Sequence, residues 1–300
     1  MKPTASSPID VKISARGGPI RWLVIGGFLL IAAITLGTTI MAGNFRERAL
    51  VASERQLENN VLLMARHFDQ QLEDFMGIQR DVVAQIERSG IASPEAFRAM
   101  MSTAEWHEML KLRLRAYTDV AGVNIFDADG VLINSSENWP APNIRIADRN
   151  FFKAFKFGSE FERFRIELVQ GRFKDGWATV VACKATGPKG EFLGVVTRAI
   201  TPSNFETFFS SVTLAPGASI SMHHRDGTLL ARFPHADGMI GRNFKTGPDE
   251  QRKVFELNQH TTRFVSPIDG ETRLISSRAL NEFPIVIVAT TTVAAALADW

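Results

Sequence analysis

Val123-Asn-Ile-Phe-Asp-Ala-Asp-Gly130-Val-Leu-Ile-Asn134 decides the fold, because the chain repeats its outline as Ile220-Ser-Met-His-His-Arg-Asp-Gly227-Thr-Leu-Leu-Ala231. Each copy is an apolar run, an Asp-Gly step and a second apolar run. Asp-Gly between two such runs is a strong hairpin signal, since glycine accepts the positive φ of a tight turn. Two hairpins imply two similar sheets. A looser helical or loop region follows each, and then more strands. In the first unit Trp177–Ala185 and Phe192–Ile200 flank the turn Gly187-Pro-Lys-Gly190. In the second, Arg263–Pro267, Thr272–Leu280 and Pro284–Thr290 flank Asp269-Gly270 and Asn281-Glu282. Thr201-Pro202 and Thr292 open short helices where each unit finishes. Antiparallel strands with helices to one side give an α+β fold of two tandem units.

Upstream, Trp22–Ala42 (WLVIGGFLLIAAITLGTTIMA) contains no charged residue. About 20 apolar residues at 1.5 Å each match a hydrocarbon layer of roughly 30 Å, so this stretch reads as one transmembrane helix. Lys2, Lys12, Arg16 and Arg21 against Asp10 give its N-terminal flank a surplus of 4 − 1 = +3. The positive-inside rule keeps such a flank in the cytoplasm. A cleaved signal peptide is the rival reading, but its apolar core is about 7 to 15 residues, and Ile40 with Ala42 makes a poor cleavage pair. The expectation is an uncleaved single-pass anchor in a bacterial inner membrane. Residues 1–21 are then a cytoplasmic tail and 43–300 are periplasmic.

After the anchor, Leu50, Leu57, Val61, Met64, Phe68, Leu72, Phe75, Gln79, Val82 and Ile86 recur at helical spacing. They predict one long stalk helix from Asn44 to about Arg88, on the order of 65 Å. Its later part packs on its own domain. Its first turns, Phe45–Leu57, are a candidate homodimer contact through paired helices. Ser93-Pro94-Glu95 supplies an N-cap, a proline at the first helical position and a first-turn acid, opening a helix through about Met101. A third amphipathic segment, Glu105–Tyr117, leads into the first strand. The expected organisation is tail 1–21, membrane helix 22–42, stalk and lead-in 43–116, membrane-distal unit 117–213 and membrane-proximal unit 214–300.

The totals narrow the function. A chain of 300 residues favours about two domains. A net charge of +2, with basic residues spread among acids, argues against nucleic acid as a partner. Cys183 is the only cysteine, so neither an intramolecular disulfide nor a thiolate metal site is available. Its thiol reads as a core filler on a strand.

As an enzyme the chain is poorly equipped. Asp127 and Asp129 sit in an Asp-x-Asp-Gly hairpin tip, where turn chemistry accounts for both. His223 and His224 are adjacent on a strand and face opposite ways, one inward and one exposed. The common nucleophile, phosphate-loop and zinc motifs are absent from the sequence. No catalysis, cofactor or metal is expected of this segment.

Binding is better supported. Asp148-Arg-Asn-Phe-Phe-Lys-Ala154 places Arg149 beside Phe151 and Phe152. An arginine fork can hold a carboxylate while aromatics close over the apolar part of a ligand. Equally, Arg149 can pair with Asp148 or a neighbouring acid, with both phenylalanines in the core.

Anchor, long helix, two PAS-like units, the segment Asp148–Ala154, Gly194-Val195-Val196 on the last strand and Asp226-Gly-Thr-Leu-Leu-Ala-Arg-Phe-Pro234 together resemble the double Cache (PDC-type) extracytoplasmic sensor region of bacterial receptors. The resemblance spans roughly residues 44–300. It is closest in style to the sensors of diguanylate cyclases and histidine kinases, and chemoreceptors share the fold. It implies a small ligand in the distal unit, about 117–205, and a relay through the proximal unit, about 214–295. In the amino-acid-binding branch an arginine grips the carboxylate, a Trp-Tyr pair follows it, and an acid on the last strand takes the amino group. Arg149 matches the arginine, while Phe151 and Phe152 replace Trp and Tyr, and Ala199 stands where the acid would be. That pattern leaves a carboxylate or a more apolar ligand. Strand alternation, with the face set by the resemblance, turns Val195, Thr197 and Ala199 toward the pocket and Arg198 away. Trp177 and Lys184 on the preceding strand are further pocket candidates.

Receptors of this kind usually continue into a second membrane helix and an output domain. Val293-Ala-Ala-Ala-Leu-Ala298 is too short to span. The chain is therefore expected to be either a truncated receptor or a single-pass sensor acting through a partner. The competing class is a membrane-anchored protein-interaction module with a vestigial pocket.

Overall fold

The computed structural model describes residues 18–115, 122–158, 162–173, 175–212 and 217–298. Lys2, Asp10, Lys12, Arg16 and Tyr117 lie outside the described residues. Two compact units divide the chain between Val51 and Ala52. The first consists of the opening turns of α1 (Gly18–Arg88). Every side chain from 21 to 48 is exposed there, including Trp22, Phe28, Leu29 and Leu36. Among the described residues this is the one helix long and apolar enough to cross a membrane. An apolar face exposed all round needs an apolar solvent rather than a core.

The second unit contains the rest of α1 and two five-stranded antiparallel sheets. The first sheet has the order β2-β1-β5-β4-β3, with β1 Asn124–Asp127, β2 Leu132–Ser135, β3 Phe164–Gln170, β4 Trp177–Thr186 and β5 Phe192–Ile200. The second has the order β7-β6-β10-β9-β8, with β6 Ser219–His224, β7 Leu229–Phe233, β8 Gln259–Val265, β9 Thr272–Ala279 and β10 Ile285–Thr292. Counted within each unit, the two orders are identical. The two-sheet α+β architecture expected from the sequence is therefore present.

The repeat persists to single residues. Gly130 and Gly227 are 227 − 130 = 97 positions apart, and both hold positive φ in their turns. The first hairpin slips register between Ile125 and Phe126, and the second between Met222 and His223, again 97 apart. Beyond each turn an isolated bridge ties the loop back, Val131 to Arg145 and Thr228 to Asn243.

Helices α2 (Pro94–Met101) and α3 (Ala104–Leu114) precede β1, and Ser93 caps α2 by accepting from the Ala96 amide at 3.2 Å. Helices α4 (Asn150–Phe157) and α6 (Asp249–Glu256) occupy the same place in the two units, between the second and third strands. Helix α5 (Pro202–Ser211) links the sheets, and α7 (Val293–Ala296) follows β10.

Each face of the first sheet is packed differently. Ile78, Val82 and Ile86 of α1 join Phe97 and Met101 of α2 against Ile125, Leu193 and Val196. On the opposite face Phe151, Phe152 and Phe155 of α4 meet Phe126, Ala182 and Val195. Polar contacts fix α1 on its face. The buried Gln79 amide donates to the Val181 and Val196 carbonyls at 2.9 and 3.2 Å. Arg198, 1 % exposed, donates to the Phe75 carbonyl at 2.6 Å, with its guanidinium carbon 3.8 Å from the Phe75 ring centroid. It thus points away from α4, as strand alternation requires.

Strand β3 is an addition to the sequence reading, which left that region as helix or loop, and β8 begins four residues before the expected Arg263. Both are edge strands of their sheets. An edge strand pairs on one side only and tolerates polar sequence, here Gln-His-Thr-Thr-Arg in β8.

Candidate functional site

Between the α4 face of the first sheet and residues 170–173 and 175–176 lies a cavity of about 160 Å³. Helix α4 brings Arg149 and Phe151 to it, β5 brings Thr197 and Ala199, and β4 brings Trp177 at its start. Five of the eight residues singled out in the sequence share this cavity, and Val195, also expected there, packs in the adjoining core instead. Phe152 and Lys184 do not line it. Phe152 is buried in the neighbouring core, edge-on to Phe192 with centroids 5.6 Å apart. Lys184 borders another space, beside Met76, Arg80 and Glu87 of α1.

Local chemistry explains how Arg149 is held. It is the N-cap residue of α4, with extended backbone, so its side chain leaves the helix start. Asp148 is engaged elsewhere: Arg172 donates to it through both terminal nitrogens, at 2.9 and 2.6 Å. That fork–fork contact is the main reason the Asp148 carboxyl lies below its ordinary range. Arg149 donates instead to the Gln170 carbonyl at 2.5 Å. No carboxylate forms an ion pair with it among the described residues. Burial lowers the Arg149 pKa, the nearby Arg172 charge lowers it further, and Asp148 and Glu167 partly restore it. Two guanidinium groups thus flank Asp148, and with Arg172 committed to that carboxylate the Arg149 charge is held at the cavity beside the wall carboxylates Glu137 and Asp175.

Glu167 accepts from the Phe151 amide at 2.9 Å, anchoring the first turn of α4. Burial raises the Glu167 pKa, with that hydrogen bond opposing the effect.

The cavity also holds polar groups the sequence reading passed over. Asn124 is buried, and its Oδ1 has no hydrogen-bond partner among the described residues. Glu137 lines the wall and accepts from the Gly122 amide at 3.2 Å. A buried acceptor without a partner costs about 1–3 kcal/mol, so the site is suited to a ligand that donates to it. Asn124 opens the very hairpin strand that signals the fold, and strand alternation from Phe126 was the available clue.

Asp127 and Asp129 behave as turn residues. Asp127 Oδ1 accepts from the Asp129 and Val131 amides, both at 2.9 Å, while Arg98 bridges the two carboxylates at 2.6 and 3.1 Å. His223 is buried and His224 is half-buried beside Asp226, in the inward and outward arrangement expected. No group of three or more metal-ligating side chains occurs among the described residues.

Comparison with known proteins places this architecture. Residues 202–290 match the family model described as dCache_1_like, histidine kinase sensor domain. No curated protein matches the chain. Among solved structures, the extracellular domain of the histidine kinase rpHK1S-Z16 is 25% identical with a TM-score of 0.68, covering 84% of this chain and 99% of that one. The periplasmic sensory domain of the Campylobacter jejuni chemoreceptor Tlp1 is 13% identical with a TM-score of 0.61, covering 83% and 98%. The ligand-binding domain of the Pseudomonas fluorescens chemoreceptor CtaA, in complex with L-isoleucine, is 14% identical with a TM-score of 0.58, covering 86% and 98%. The double Cache resemblance drawn from the sequence is borne out, in fold along most of the chain and in sequence over the proximal unit.

Proposed function

We propose that this chain, built on the double Cache sensor fold behind one membrane-spanning helix, is the periplasmic ligand-sensing region of a bacterial inner-membrane signalling receptor. The matched family is a sensor family, so the segment is an input module and not a catalyst. The ligand occupies the distal cavity and is a small molecule with a carboxylate held by Arg149. Donor groups elsewhere on it meet Asn124 and Glu137, and Phe151 and Trp177 cover its apolar part.

One observation carries this reading. Thr197 and Ala199 line the cavity, and Arg198 between them grips α1 from the reverse face of the same strand. A ligand that repositions β5 by even a fraction of an ångström acts directly on the helix that continues into the apolar span. A ligand biases such a switch only by its affinity difference between the two states. Homodimerisation through Phe45–Leu57 would let two such helices shift against one another.

The test is a thermal-unfolding screen of the full chain in detergent against carboxylates, amino acids, amines, purines and sugars, repeated on Arg149→Ala. A ligand at 100 times its Kd adds about 2.7 kcal/mol to a folded form that alone binds it. Stabilisation by a carboxylate that disappears in Arg149→Ala supports the reading. If no compound stabilises the wild type, the interaction-module alternative takes its place, and stabilisation that survives in the variant moves the site away from Arg149.

A further inference from the structure

The proximal unit encloses its own cavity, about 60 Å³, at the place equivalent to the distal one. It lies between the second sheet and α6, just as the distal cavity lies between the first sheet and α4. Its chemistry is unlike a filled core. Arg232 of β7 is 9 % exposed and lines the space. Its only hydrogen bond among the described residues is from Nη1 to the Pro234 carbonyl, at 2.7 Å. Guanidinium carries five N–H donors and cannot shed its charge, and the other Arg232 nitrogens are not sealed in the core, so they can donate to a molecule in this space.

Arg273, the other cation on the wall, is spent by contrast. It donates to both Asp269 carboxylate oxygens, to the Gly217 carbonyl at 2.8 Å and to Thr290 Oγ1 at 3.0 Å. Two cations therefore share one carboxylate, and no acidic side chain lines the cavity among the described residues. A largely buried cation that shares its nearest carboxylate with a second cation is costly to maintain.

The rest of the wall carries both kinds of group, with His223 between them, 3.0 Å from Ser221 Oγ and with its ring centroid 5.1 Å from that of Phe255. Ser219 and Ser221 of β6 stand on the polar side, Ser221 pairing across the strands with Arg232. Phe255, Ile275 and Val288 form an apolar side. A water needs about 10–15 Å³ of such space, so the cavity takes roughly four to six water-sized bodies. That is the heavy-atom count of a two- or three-carbon carboxylate. Oxyanion toward Arg232 and alkyl tail toward Phe255 match both halves of the lining.

We propose that the proximal cavity is a second ligand site, selective for a short-chain monocarboxylate held by Arg232. A tetrahedral inorganic anion would satisfy the guanidinium and leave the apolar half unmatched.

Calorimetric titration of the full chain in detergent with sodium acetate, sodium propionate and inorganic phosphate, up to about 10 mM, tests it. The wild type and Arg149→Ala should both bind acetate or propionate saturably, and Arg232→Met should bind at least about tenfold more weakly, the loss of a charge-assisted contact. Val288→Leu, which adds one methylene to the apolar wall, should shift preference from propionate toward acetate. Should circular dichroism show Arg232→Met unfolded, that shift decides alone. The proposal is overturned if no carboxylate binds the wild type, if phosphate binds and carboxylates do not, or if Val288→Leu leaves the preference unmoved. It is likewise overturned if binding is lost in Arg149→Ala and kept in Arg232→Met, a result that would place the ligand in the distal cavity and leave the proposed sensing function standing.

Discussion

Asp69 of α1 is expected to hold the proximal sheet on the helix, and replacing it by alanine should cost about 2–3 kcal/mol. The carboxylate accepts from the Asn281 amide, at 3.1 Å to each oxygen, from Asn281 Nδ2 at 3.0 Å, and from the Glu282 amide at 3.3 Å. These donors form the turn between β9 and β10, the two strands that carry most of that sheet's pairing. A hydrogen bond to a charged group is worth about 1.5–3 kcal/mol. Three donors on one half-buried carboxylate do not add fully, because solvent screens each and they share one charge. The estimate is therefore one strong bond plus a fraction of a second. For a domain of this size, 1 kcal/mol moves the unfolding midpoint by about 2–4 °C, so Asp69→Ala should lower it by roughly 4–12 °C. Asp69→Asn keeps an acceptor without the charge and should fall between. Among the described residues Asp74 accepts only from Gln70 on the same exposed helical surface, at 2.9 Å, so Asp74→Ala should stay within about 0.5 kcal/mol. Thermal unfolding of the full chain, followed by circular dichroism in one detergent, compares all three. A midpoint for Asp69→Ala within error of Asp74→Ala would refute the reasoning.

Three further outcomes are expected. Burial pushes the His223 imidazole from its ordinary 6.5 down to about 4, with the Arg232 charge adding to the effect and the Gly227 backbone and Asp226 opposing it. The unfolded chain then binds the extra proton first, so stability is level above pH 6.5 and falls by up to about 3 kcal/mol as pH drops toward 4; His223→Gln should flatten that profile in unfolding scans between the two limits. Burial also pushes the Cys183 thiol up to about 12, so a thiol reagent at pH 8 should label it only after denaturant is added, and rapid labelling of the native chain would contradict its place in the core. At Gly241, whose φ is +86°, an added Cβ would lie 2.8 Å from the Trp177 ring. Gly241→Ala should cost at least about 1–2 kcal/mol in unfolding titrations from backbone strain alone, and should also change affinity for a distal-cavity ligand through Trp177.

The Asp-Gly hairpins made the duplicated sheets legible, because turn chemistry and apolar alternation act within a dozen residues. Strand β3 and the start of β8 were harder to read, since an edge strand is specified by the partner it meets rather than by its own sequence. Arg149 stood out as a charge beside two phenylalanines, and Thr197 with Ala199 followed from alternation once a face was assigned. Phe151 and Phe152 show the limit of that approach: adjacent on α4 and equally buried, one turns to the cavity and the other to the core. Arg172 was unreadable as the partner of Asp148 because it lies 24 residues away, brought there by the return of β3. Asn124 and Arg232 look like ordinary strand residues in sequence, and only the assembled sheets reveal that Asn124 Oδ1 is buried without a partner and that Arg232 faces a cavity.

The strand that lines the distal cavity and the helix that leads to the apolar span meet at a polar contact, where an apolar one would be cheaper to build. Leucine at 198 and 79 would bury as well against Phe75 and the sheet, without desolvating a guanidinium or leaving Gln79 Oε1 unpartnered. Apolar contacts carry no directional requirement, whereas the Arg198 and Gln79 bonds to the Phe75, Val181 and Val196 carbonyls are satisfied over a range of only a few tenths of an ångström. A helix held in that way has defined positions and not a continuum of them. Asp69 imposes the same condition on the proximal sheet through the turn at Asn281. One helix is thereby indexed against two sheets, each with a cavity on its reverse face, and under the proposed sensing role a ligand in either cavity would act on the same helical element. Such an arrangement gives a ligand at one site a means to alter affinity at the other, and linkage requires any coupling between them to be reciprocal.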